Sequence, residues 1–369
     1  MRYYIISGEA SGDLHAANLM HELKKLDTHA TFRCWGGDKM KAEGAELVKH
    51  YRELAFMGFT EVVMNLRVIL RNFGFCKEDI MQWKPHVVIL VDYPGFNLRI
   101  AEFAKTNGFK VFYYISPQIW AWKQSRVHKI KKVVDKMFVI LPFEKDFYKR
   151  FDYEVDFVGH PLLDEIQKFD RHDSWVKAHL HSEKPIIALL PGSRRQEVQT
   201  ILPLMLSTIS KFPEYQFVLA AAPSLPVDYY SEIVGTHPVS IIENQTYQLL
   251  MHSRAALVTS GTATLETALF GVPEVVCYKG GKISYLIART LVKIDYISLV
   301  NLIMDREVVK ELIQDELNPE NLYHELNLLL TDQEKIAQLK SDYDLLKLKL
   351  GGVGASAKTA RLMFDFLQN

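Results

Sequence analysis

The chain has 369 residues, enough for two domains of ordinary size, and its 48% apolar and 24% charged residues are typical of a globular protein with large cores. Lys+Arg and Asp+Glu are equal at 44 each, which excludes a global charge attraction to nucleic acid. Three distant cysteines, Cys34, Cys76 and Cys277, exclude a disulfide framework and an all-cysteine metal site and indicate a reducing compartment.

Strand and helix patterns alternate from the first residues. The opening run Tyr3–Ser7 is typical of a β-strand rather than of a signal peptide, and no apolar run is long enough to span a bilayer. Further strands are predicted at Thr31–Trp35, Val87–Val91, Lys110–Ile115, Met137–Leu141, Ile186–Leu190, Gln216–Ala221, Val239–Ile242, Ala255–Thr259 and Glu274–Tyr278. Strands separated by helices predict βαβ units and mostly parallel sheets.

The alternating pattern breaks around Phe157–Pro161, where we place the link between two domains. We predict an α/β fold of two doubly wound, Rossmann-like domains, one over residues 1–163 and one over residues 164–350, with a final helix over 355–369 that can pack back on the first domain. We expect the two domains to face each other across a cleft lined by the loops at the carboxyl ends of the strands.

The loop after the first strand has two glycines in Gly-x-x-x-Gly spacing and two carboxylates. It lies where a dinucleotide-binding fold would have Gly-x-Gly-x-x-Gly, and its carboxylates would repel a pyrophosphate, so we reject a nicotinamide cofactor. Asp13 could simply cap the following helix, whereas Glu9 is not at a capping position. The functional interpretation is a site for sugar hydroxyls formed by Gly8, Glu9, Ser11, Gly12 and Asp13.

The segment Val62–Phe75 has a broad apolar helical face and few polar positions. Such a helix is either deeply buried or in contact with something apolar, and Arg67 and Arg71, four residues apart, are typical of an interfacial helix whose cations meet lipid phosphates. We predict membrane or acyl-chain contact for Leu66, Ile69, Leu70 and Phe73.

Asp92 follows the buried strand Val87–Val91, at the end of the strand where ligands bind in open α/β sheets. A cap or turn former is the alternative, but Tyr93–Gly95 already forms the turn, so we expect Asp92 to be an acid in the cleft. After the next strand, Trp120 and Trp122 stand in a loop and must pack on the core or on a sugar ring.

Five cations follow these tryptophans in ten residues without an acid, namely Lys123, Arg126, Lys129, Lys131 and Lys132. Such a run is usually a solvated helix face, and its alternative is contact with anionic lipid or a phosphorylated substrate.

In the second half, the strand Ile186–Leu190 passes through Gly192, Ser193 and Arg194 into a helix. This geometry presents backbone N–H groups and a positive charge to an anion, although an ordinary turn with a surface arginine has the same pattern. A second turn of the same kind offers Ser260, Gly261 and Thr262 for a diphosphate, or as simple caps, and Glu266 for ribose hydroxyls.

Three further features have weaker interpretations. Asn301 is an amide in an apolar run and is either structural or a substrate contact. The Asp342–Asp344 motif lies in a charged helical stretch, which argues against a metal site there. Gly351–Gly354 follows a helix rather than a strand, so we interpret it as a hinge and not as a phosphate loop.

Taken together, these motifs resemble lipid-A-disaccharide synthase, in order and through essentially the whole chain. The most specific of them are Gly8–Asp13, Trp120–Trp122 and Pro191–Arg194; the others are Glu53–Gly58, Asp92–Asn97, Leu141–Glu144, Gly159–Pro161, Ser260–Glu266 and Ser298–Asn301.

The resemblance implies a metal-independent, cofactor-free inverting glycosyltransferase of the GT-B architecture. The family moves 2,3-diacylglucosamine from UDP-2,3-diacylglucosamine to the 6-hydroxyl of 2,3-diacylglucosamine 1-phosphate and releases UDP. The resemblance also maps the essential aspartate onto Asp92, the essential arginine onto Arg194 and a cleft asparagine onto Asn301. Gly95 stands where some members have a second acid, which makes a partner acid for Asp92 doubtful.

Inversion by one displacement needs a base near the acceptor hydroxyl and positive charge near the leaving diphosphate. Asp92, or with less support Asp13 or Glu9, is the predicted base, and the Gly192–Arg194 and Ser260–Thr262 turns are predicted to replace a metal at UDP. Acylated substrates indicate a cytoplasmic enzyme at the surface of the inner membrane.

Three alternatives share the architecture. A UDP-sugar epimerase would need no acyl-binding surface, and a UDP-sugar-binding protein would lose no turnover on replacement of Asp92. A peptidoglycan-type transferase with a lipid acceptor would need glycine-rich phosphate loops in the first domain, and those are absent from the sequence. The sequence sets no oligomeric state.

Overall fold

The computed structural model describes residues 1–53, 66–180, 182–281 and 295–368. The chain forms two compact units. Unit 1 consists of Met1–Asp164 together with Leu350–Asn369, and unit 2 consists of Glu165–Lys349.

Unit 1 is built on a parallel sheet with strand order β3-β2-β1-β4-β5-β6-β7. The strands are β1 Arg2–Ser7, β2 Thr31–Gly36, β3 Glu46–His50, β4 Val87–Val91, β5 Lys110–Tyr114, β6 Lys136–Val139 and β7 Asp156–Phe157. The described helices are α1 Ala10–Leu26, α2 Asp38–Ala42, α3 Leu66–Trp83, α4 Pro94–Thr106, α5 Ile119–Trp122, α6 Val127–Val133, α7 Pro142–Lys149 and α8 Leu162–Gln167, the last of which crosses into unit 2.

Unit 2 is built on a second parallel sheet with strand order β10-β9-β8-β11-β12-β13. Its strands are β8 Ile186–Leu190, β9 Gln216–Ala221, β10 Val239–Glu243, β11 Ser253–Thr259, β12 Glu274–Tyr278 and β13 Lys310–Ile313. The described helices are α9 Trp175–His179, α10 Arg195–Leu206, α11 Val227–Val234, α12 Thr246–His252, α13 Thr262–Leu269, α14 Leu299–Met304, α15 Pro319–Thr331 and α16 Gln333–Lys349. Two doubly wound parallel sheets confirm the predicted fold class.

Continuous apolar strands form the core of each sheet. All five residues of β4 and all five of β8 are buried, as expected for parallel strands covered by helices on both faces. Polar groups in the core are paired: the Tyr4 hydroxyl donates to Asp79 Oδ2 at 2.7 Å and accepts from Trp35 Nε1 at 2.8 Å. This network joins β1 and β2 to α3.

Three strands were not predicted, β3, β7 and β13, and all lie at sheet edges. β7 has only two residues, and β3 is half-exposed along most of its length. β13 contains Glu311, which is buried and accepts N–H bonds from Ile297 and Ser298, so its sequence lacks the apolar run of a central strand.

The last helix, α17 Ala355–Gln368, belongs to unit 1 and packs along α1. The Asp164 carboxylate accepts the backbone N–H groups of Gly354 at 2.5 Å and Ser356 at 3.0 Å, which satisfies the first turn of the helix. Phe366 packs edge-on against Phe112 of β5 with ring centroids 5.4 Å apart. The final helix thus covers part of the β1–β7 sheet.

Candidate active site

Both sheets reverse their strand order at one point, and the predicted ligand loops follow the strands on each side of it. In unit 1 the reversal lies between β1 and β4, which lead into the Gly8–Asp13 and Asp92–Asn97 segments. In unit 2 it lies between β8 and β11, which lead into Gly192–Arg194 and Ser260–Thr262. Open α/β sheets bind ligands at such switch points.

The turn that begins with Asp92 has an unusual backbone. Asp92 and Tyr93 have φ angles of 45° and 49°, in the left-handed region that residues other than glycine rarely adopt. Three hydrogen bonds hold this conformation. The Asp92 carbonyl accepts from the Tyr113 hydroxyl at 2.6 Å and from Asn97 Nδ2 at 2.7 Å, and the Asp92 N–H donates to the Tyr114 carbonyl at 3.1 Å. Strain of this kind, held by buried partners, is typical of functional sites.

The Asp92 carboxyl group is half-buried and close to a second carboxylate. Burial, with a smaller contribution from the charge of Glu9, raises the pKa of Asp92 to about 6, although the Tyr93 N–H opposes the rise. A carboxylate with this pKa is a stronger base than an ordinary aspartate and is still mostly ionised at neutral pH.

The glycines of the first loop make room for this turn. A Cβ on Gly8 would lie 2.3 Å from the Tyr93 ring, and a Cβ on Gly12 would lie 3.0 Å from Ser7 Cβ. Gly8 and Gly12 are buried, whereas Glu9 and Ser11 are exposed. Glu9, just before α1, and Ser11, in its first turn, are therefore the accessible side chains among the predicted residues of this segment.

Asp13 is buried in the first turn of α1, which begins at Ala10, and its side chain caps a different helix. Its carboxylate accepts the N–H groups of Gly37 at 2.7 Å, Lys39 at 3.1 Å and Met40 at 3.2 Å, and so caps α2. With three backbone donors on its oxygens, Asp13 ties the loops after β1 and β2 together. This structural role replaces the expected contact with sugar hydroxyls and the minor alternative of Asp13 as base.

The two tryptophans after β5 have different environments. Trp120 is buried and packs edge-on against Phe143, with ring centroids 4.9 Å apart, whereas Trp122 is 51% exposed. Both stand in the short helix α5 rather than in the predicted loop. Ser116 Oγ, just before this helix, lies 2.6 Å from the Tyr148 hydroxyl. Buried Glu144 accepts the Ile140 and Leu141 N–H groups, and burial raises its pKa to about 7. The sequence reading assigned no role to Glu144; its place as the third residue of α7 is the signal for this cap.

In unit 2, the turn after β8 contains an ion pair. Gly192 has φ +101°, and a Cβ there would lie 2.7 Å from Glu197 Oε2. Arg194 is exposed, and its Nη1 donates to Glu197 Oε1 at 2.9 Å, while the Arg194 N–H bonds the other carboxylate oxygen at 3.4 Å. Glu197, which was not predicted as a site residue, thus accepts hydrogen bonds from both the guanidinium and the N–H group of Arg194, the groups predicted to bind an anion. An exposed pair of this kind is weak, so a diphosphate can compete for Arg194.

The turn after β11 adjoins this one, because a Cβ on Gly192 would also lie 3.3 Å from Thr259 Cγ2. Gly261 and Thr262 are exposed at the N-terminus of α13, and the Ser260 hydroxyl donates to the Ile297 carbonyl at 3.1 Å. Glu266 is half-buried and accepts the Tyr247 hydroxyl at 3.1 Å, and burial raises its pKa.

Asn301 is structural in this fold. Its Nδ2 donates to the Val309 carbonyl and to Glu311 Oε1, both at 2.9 Å, and its Oδ1 accepts the N–H groups of Val308 and Val309 at 2.7 and 3.0 Å. The amide is fully used in joining α14 to β13. Of the two interpretations of the sequence, the geometry favours the structural one over a catalytic or substrate contact.

The residues of α3 predicted to contact a membrane differ in exposure. Phe73 is buried and stacks on Phe96 with ring centroids 4.4 Å apart, so its prediction as a membrane contact is wrong. Ile69 is half-buried and Leu70 is 55% exposed. The side chain of Leu66 and residues 54–65 lie outside the described residues.

Among the described residues, no group of three or more His, Cys, Asp and Glu side chains is placed to hold a metal ion. Asp342, in the Asp-x-Asp motif, is buried and pairs with Arg306 Nη2 at 2.5 Å. In the same part of the chain, no helix combines the length and apolar content needed to cross a membrane.

Known proteins resemble the chain in sequence over its full length. A family model described as lipid-A-disaccharide synthetase matches residues 3–363. A lipid-A-disaccharide synthase of Syntrophus aciditrophicus is 41% identical over 372 residues, which cover 99% of this chain and 97% of that protein.

Two solved structures share the fold at low sequence identity. A UDP-GlcNAc 2-epimerase from Neisseria meningitidis, solved with UDP-GlcNAc, has a TM-score of 0.67 and 14% identity, and covers 100% of both chains. The calicheamicin glycosyltransferase CalG4 has a TM-score of 0.62 and 17% identity, and covers 100% of this chain and 98% of its own. At these identities the likeness shows the two-domain fold and no more.

Proposed function

The chain belongs to the lipid-A-disaccharide synthetase family, and from that premise we propose how its own residues carry out the family's reaction. The protein is a hexosyltransferase. It moves 2,3-diacylglucosamine from UDP-2,3-diacylglucosamine to the 6-hydroxyl of 2,3-diacylglucosamine 1-phosphate, and it releases UDP and the disaccharide precursor of lipid A.

Asp92 is the general base in this proposal. It takes the proton of the acceptor 6-hydroxyl while that oxygen attacks C1 of the donor sugar and the C1–oxygen bond to UDP breaks. The observation that carries the assignment is the strained Asp92–Tyr93 turn, with its raised carboxyl pKa, at the switch point of the unit 1 sheet. In this proposal the negative charge of Glu9 helps to raise the pKa of Asp92, and the exposed Ser11 hydroxyl contacts a sugar.

Unit 2 is assigned the leaving nucleotide. Negative charge grows on the diphosphate as UDP departs, and the exposed Arg194 and the first turns of α10 and α13 offer positive charge and N–H groups for it. Gly192, Ser193, Ser260, Gly261 and Thr262 are the proposed backbone and hydroxyl contacts. Glu266, with the Tyr247 hydroxyl on one oxygen, is the proposed acceptor of ribose hydroxyls.

The decisive experiment is incubation of the protein with both substrates, followed by mass spectrometry for disaccharide and free UDP. Arg194→Ala should reduce turnover by about 100-fold or more, because an electrostatic contact to the transition state is lost. Arg195→Ala is the matched control, since the neighbouring guanidinium stacks on Tyr229 at 4.8 Å, and it should stay within about twofold of the native rate.

Two results would contradict the proposal. Equal turnover losses in the two arginine variants would remove Arg194 from the nucleotide site. Conversion of UDP-N-acetylglucosamine to an epimer, with no disaccharide formed from the diacyl substrates, would replace transfer by epimerisation.

We further propose that α3 contacts the surface of the inner membrane, where both lipid substrates are held. Arg67, Leu70, Arg71 and Phe75 are exposed on successive turns of one helix face, with Leu70 and Phe75 exposed by 55% and 45%. Apolar side chains flanked by arginines are suited to an anionic lipid surface. Burial of Phe73 restricts the proposed contact to this exposed face.

Vesicles of phosphatidylethanolamine and phosphatidylglycerol test the membrane contact in a sedimentation assay. Leu70→Ser with Phe75→Ser should release most of the bound protein. The control is Leu345→Ser with Leu348→Ser, which removes two comparably exposed leucines from α16 of unit 2. Equal binding of native protein and the α3 variant would refute the contact.

A further inference from the structure

One exposed tryptophan, in the short helix that follows β5, is flanked by two cations. Trp122 is 51% exposed although Trp120, two residues earlier, is buried against Phe143. Lys123 Nζ lies 4.6 Å and Arg126 Cζ 5.4 Å from the centre of the Trp122 ring. The Trp122 ring therefore holds both cations near one place on the surface of unit 1.

Unlike Lys105, Lys129 and Lys136, these two cations have no carboxylate partner among the described residues. Lys105 pairs with Asp135 at 2.5 Å, Lys129 with Glu102 at 2.6 Å and Lys136 with Asp156 at 3.5 Å. No such ion pair is found for Lys123 or Arg126 in the described part of the chain. Two like charges on one ring repel each other, and an anion bound there would relieve that repulsion.

The cluster lies at the same sheet edge as Asp92. β4 and β5 are neighbouring parallel strands, so the loops that follow them leave the sheet side by side. Tyr113 of β5 donates its hydroxyl to the Asp92 carbonyl at 2.6 Å. Burial and the charge of Asp92 raise the pKa of Tyr113, and the charge of the Arg126 guanidinium opposes that rise.

Resting on the proposed function, we propose that Trp122, Lys123 and Arg126 form the subsite for the phosphate group of the acceptor. Of the two substrates, the acceptor is the one whose hydroxyl Asp92 must reach, and it has a phosphomonoester. The cations bind the phosphate oxygens, and the exposed ring packs against the sugar. Arg194 then serves the diphosphate of the donor, and this second basic group serves the acceptor.

The test compares acceptors with and without the phosphate, in neutral detergent micelles. Lys123→Ala with Arg126→Ala should raise KM for 2,3-diacylglucosamine 1-phosphate by about tenfold or more, the effect of losing hydrogen bonds to a charged group. KM for the UDP-linked donor should stay unchanged. With 2,3-diacylglucosamine, which lacks the phosphate, the native protein and the variant should have equal KM values for the acceptor.

The matched control is Lys131→Ala with Lys132→Ala, which removes the same charge from the next turns of the chain and should leave both KM values unchanged. Equal loss with both acceptors, or equal loss in the control variant, would overturn the subsite. A defect seen only on vesicles containing phosphatidylglycerol, and absent in neutral micelles, would also overturn it and assign the cations to the lipid surface. Because native turnover is measured in every arm, failure of the subsite is distinct from failure of the transferase assignment.

Discussion

At the scale of single residues, Asp92 combines features that work against stability. Its φ is in the left-handed region, and its carboxyl is half-buried near the charge of Glu9. The Asn97 amide and the Tyr113 hydroxyl hold the same carbonyl in place. Replacing such a residue by a neutral one is expected to make the protein more stable and less active.

Asp92→Asn tests that trade-off. Turnover should fall by about 100-fold or more, because the base is lost. Asparagine tolerates positive φ, so the turn should persist. The pKa of Asp92 is raised in the folded state from 3.8 to about 6, so the ionised carboxylate costs stability above that pKa. The free energy of unfolding of the variant should therefore exceed the native value by about 3 kcal/mol at pH 7, and the difference should vanish below pH 3.8 in denaturant titrations. A variant less stable than native at pH 7 would contradict this account.

The pH dependence of turnover gives a second test at this scale. Because the base must be ionised, kcat/KM should fall about tenfold per pH unit below the pKa of Asp92, about 6. Glu9→Gln removes a neighbouring negative charge and should move this acidic limb to lower pH. Ser11→Ala, a change at a nearby exposed residue in the first turn of α1, should leave the acidic limb of the pH profile unchanged. If the acidic limb of Glu9→Gln coincides with that of the native protein, the ionisation that limits kcat/KM is not that of Asp92.

Sequence alone predicted which acid stands at the end of β4, but not what holds it. The strand pattern places Asp92 at the sheet edge, but the turn predicted over Tyr93–Gly95 is wrong in extent, because α4 begins at Pro94. The contacts from Asn97 and Tyr113 depend on a positive φ and on strand pairing, which leave no local pattern. Asp13 shows the same limit, since its carboxylate caps α2, 24 residues or more along the chain.

At the scale of elements, the first turn of α10 already contains an anion of its own. Glu197 bonds the Arg194 guanidinium and N–H, the groups proposed for the diphosphate. A carboxylate favours the N-terminus of a helix for the same electrostatic reason that a phosphate does. The donor nucleotide must therefore compete with Glu197.

Glu197→Gln should relieve that competition. We expect the Kd for UDP, measured by calorimetry at low salt, to fall by about two- to fivefold, the range of a charge at a helix end. Gln196→Glu, which adds a charge at the neighbouring exposed position, should raise the Kd instead. Weaker UDP binding by Glu197→Gln would mean that Glu197 orients Arg194 for the nucleotide.

Periodicity predicted α3 as a helix but could not divide its apolar residues between core and surface. Phe73 is buried because Phe96 of α4 stacks on it, whereas Leu70 and Phe75 are exposed. Only the packing of a distant helix decides this. For the same reason Asn301, in an apolar run, was compatible with either role until its four hydrogen bonds were known.

At the scale of the whole molecule, the chain passes from unit 1 to unit 2 and back. The two passages are joined within unit 1, where the His160 N–H donates to the Leu350 carbonyl at 3.0 Å. A Cβ on Gly159 would lie 3.2 Å from that carbonyl oxygen, and the φ of Gly159 is +94°. Asp164 then caps the returning helix.

Asp164→Ala should destabilise the packing of α17 on unit 1 and leave the proposed catalytic residues unchanged. Loss of a helix cap costs about 0.5 to 2 kcal/mol of unfolding free energy. Asp164→Asn, which keeps one acceptor oxygen, should lose less, and kcat/KM at low temperature should be native in both variants. Hydrogen exchange should locate the change at the N-terminus of α17, and unchanged protection there would contradict the assigned cap.

The return of α17 has a consequence for the order in which the protein is completed during synthesis. All of Glu165–Lys349 is translated before the helix that covers α1. The β1–β7 sheet, although it is translated first, therefore lacks the helix that covers part of it until the end of translation. By then every residue of unit 2 has already been translated. Domains commonly mature from the amino terminus onward. In this protein the connectivity reverses that order, because unit 1 is the first to be started and the last to be completed.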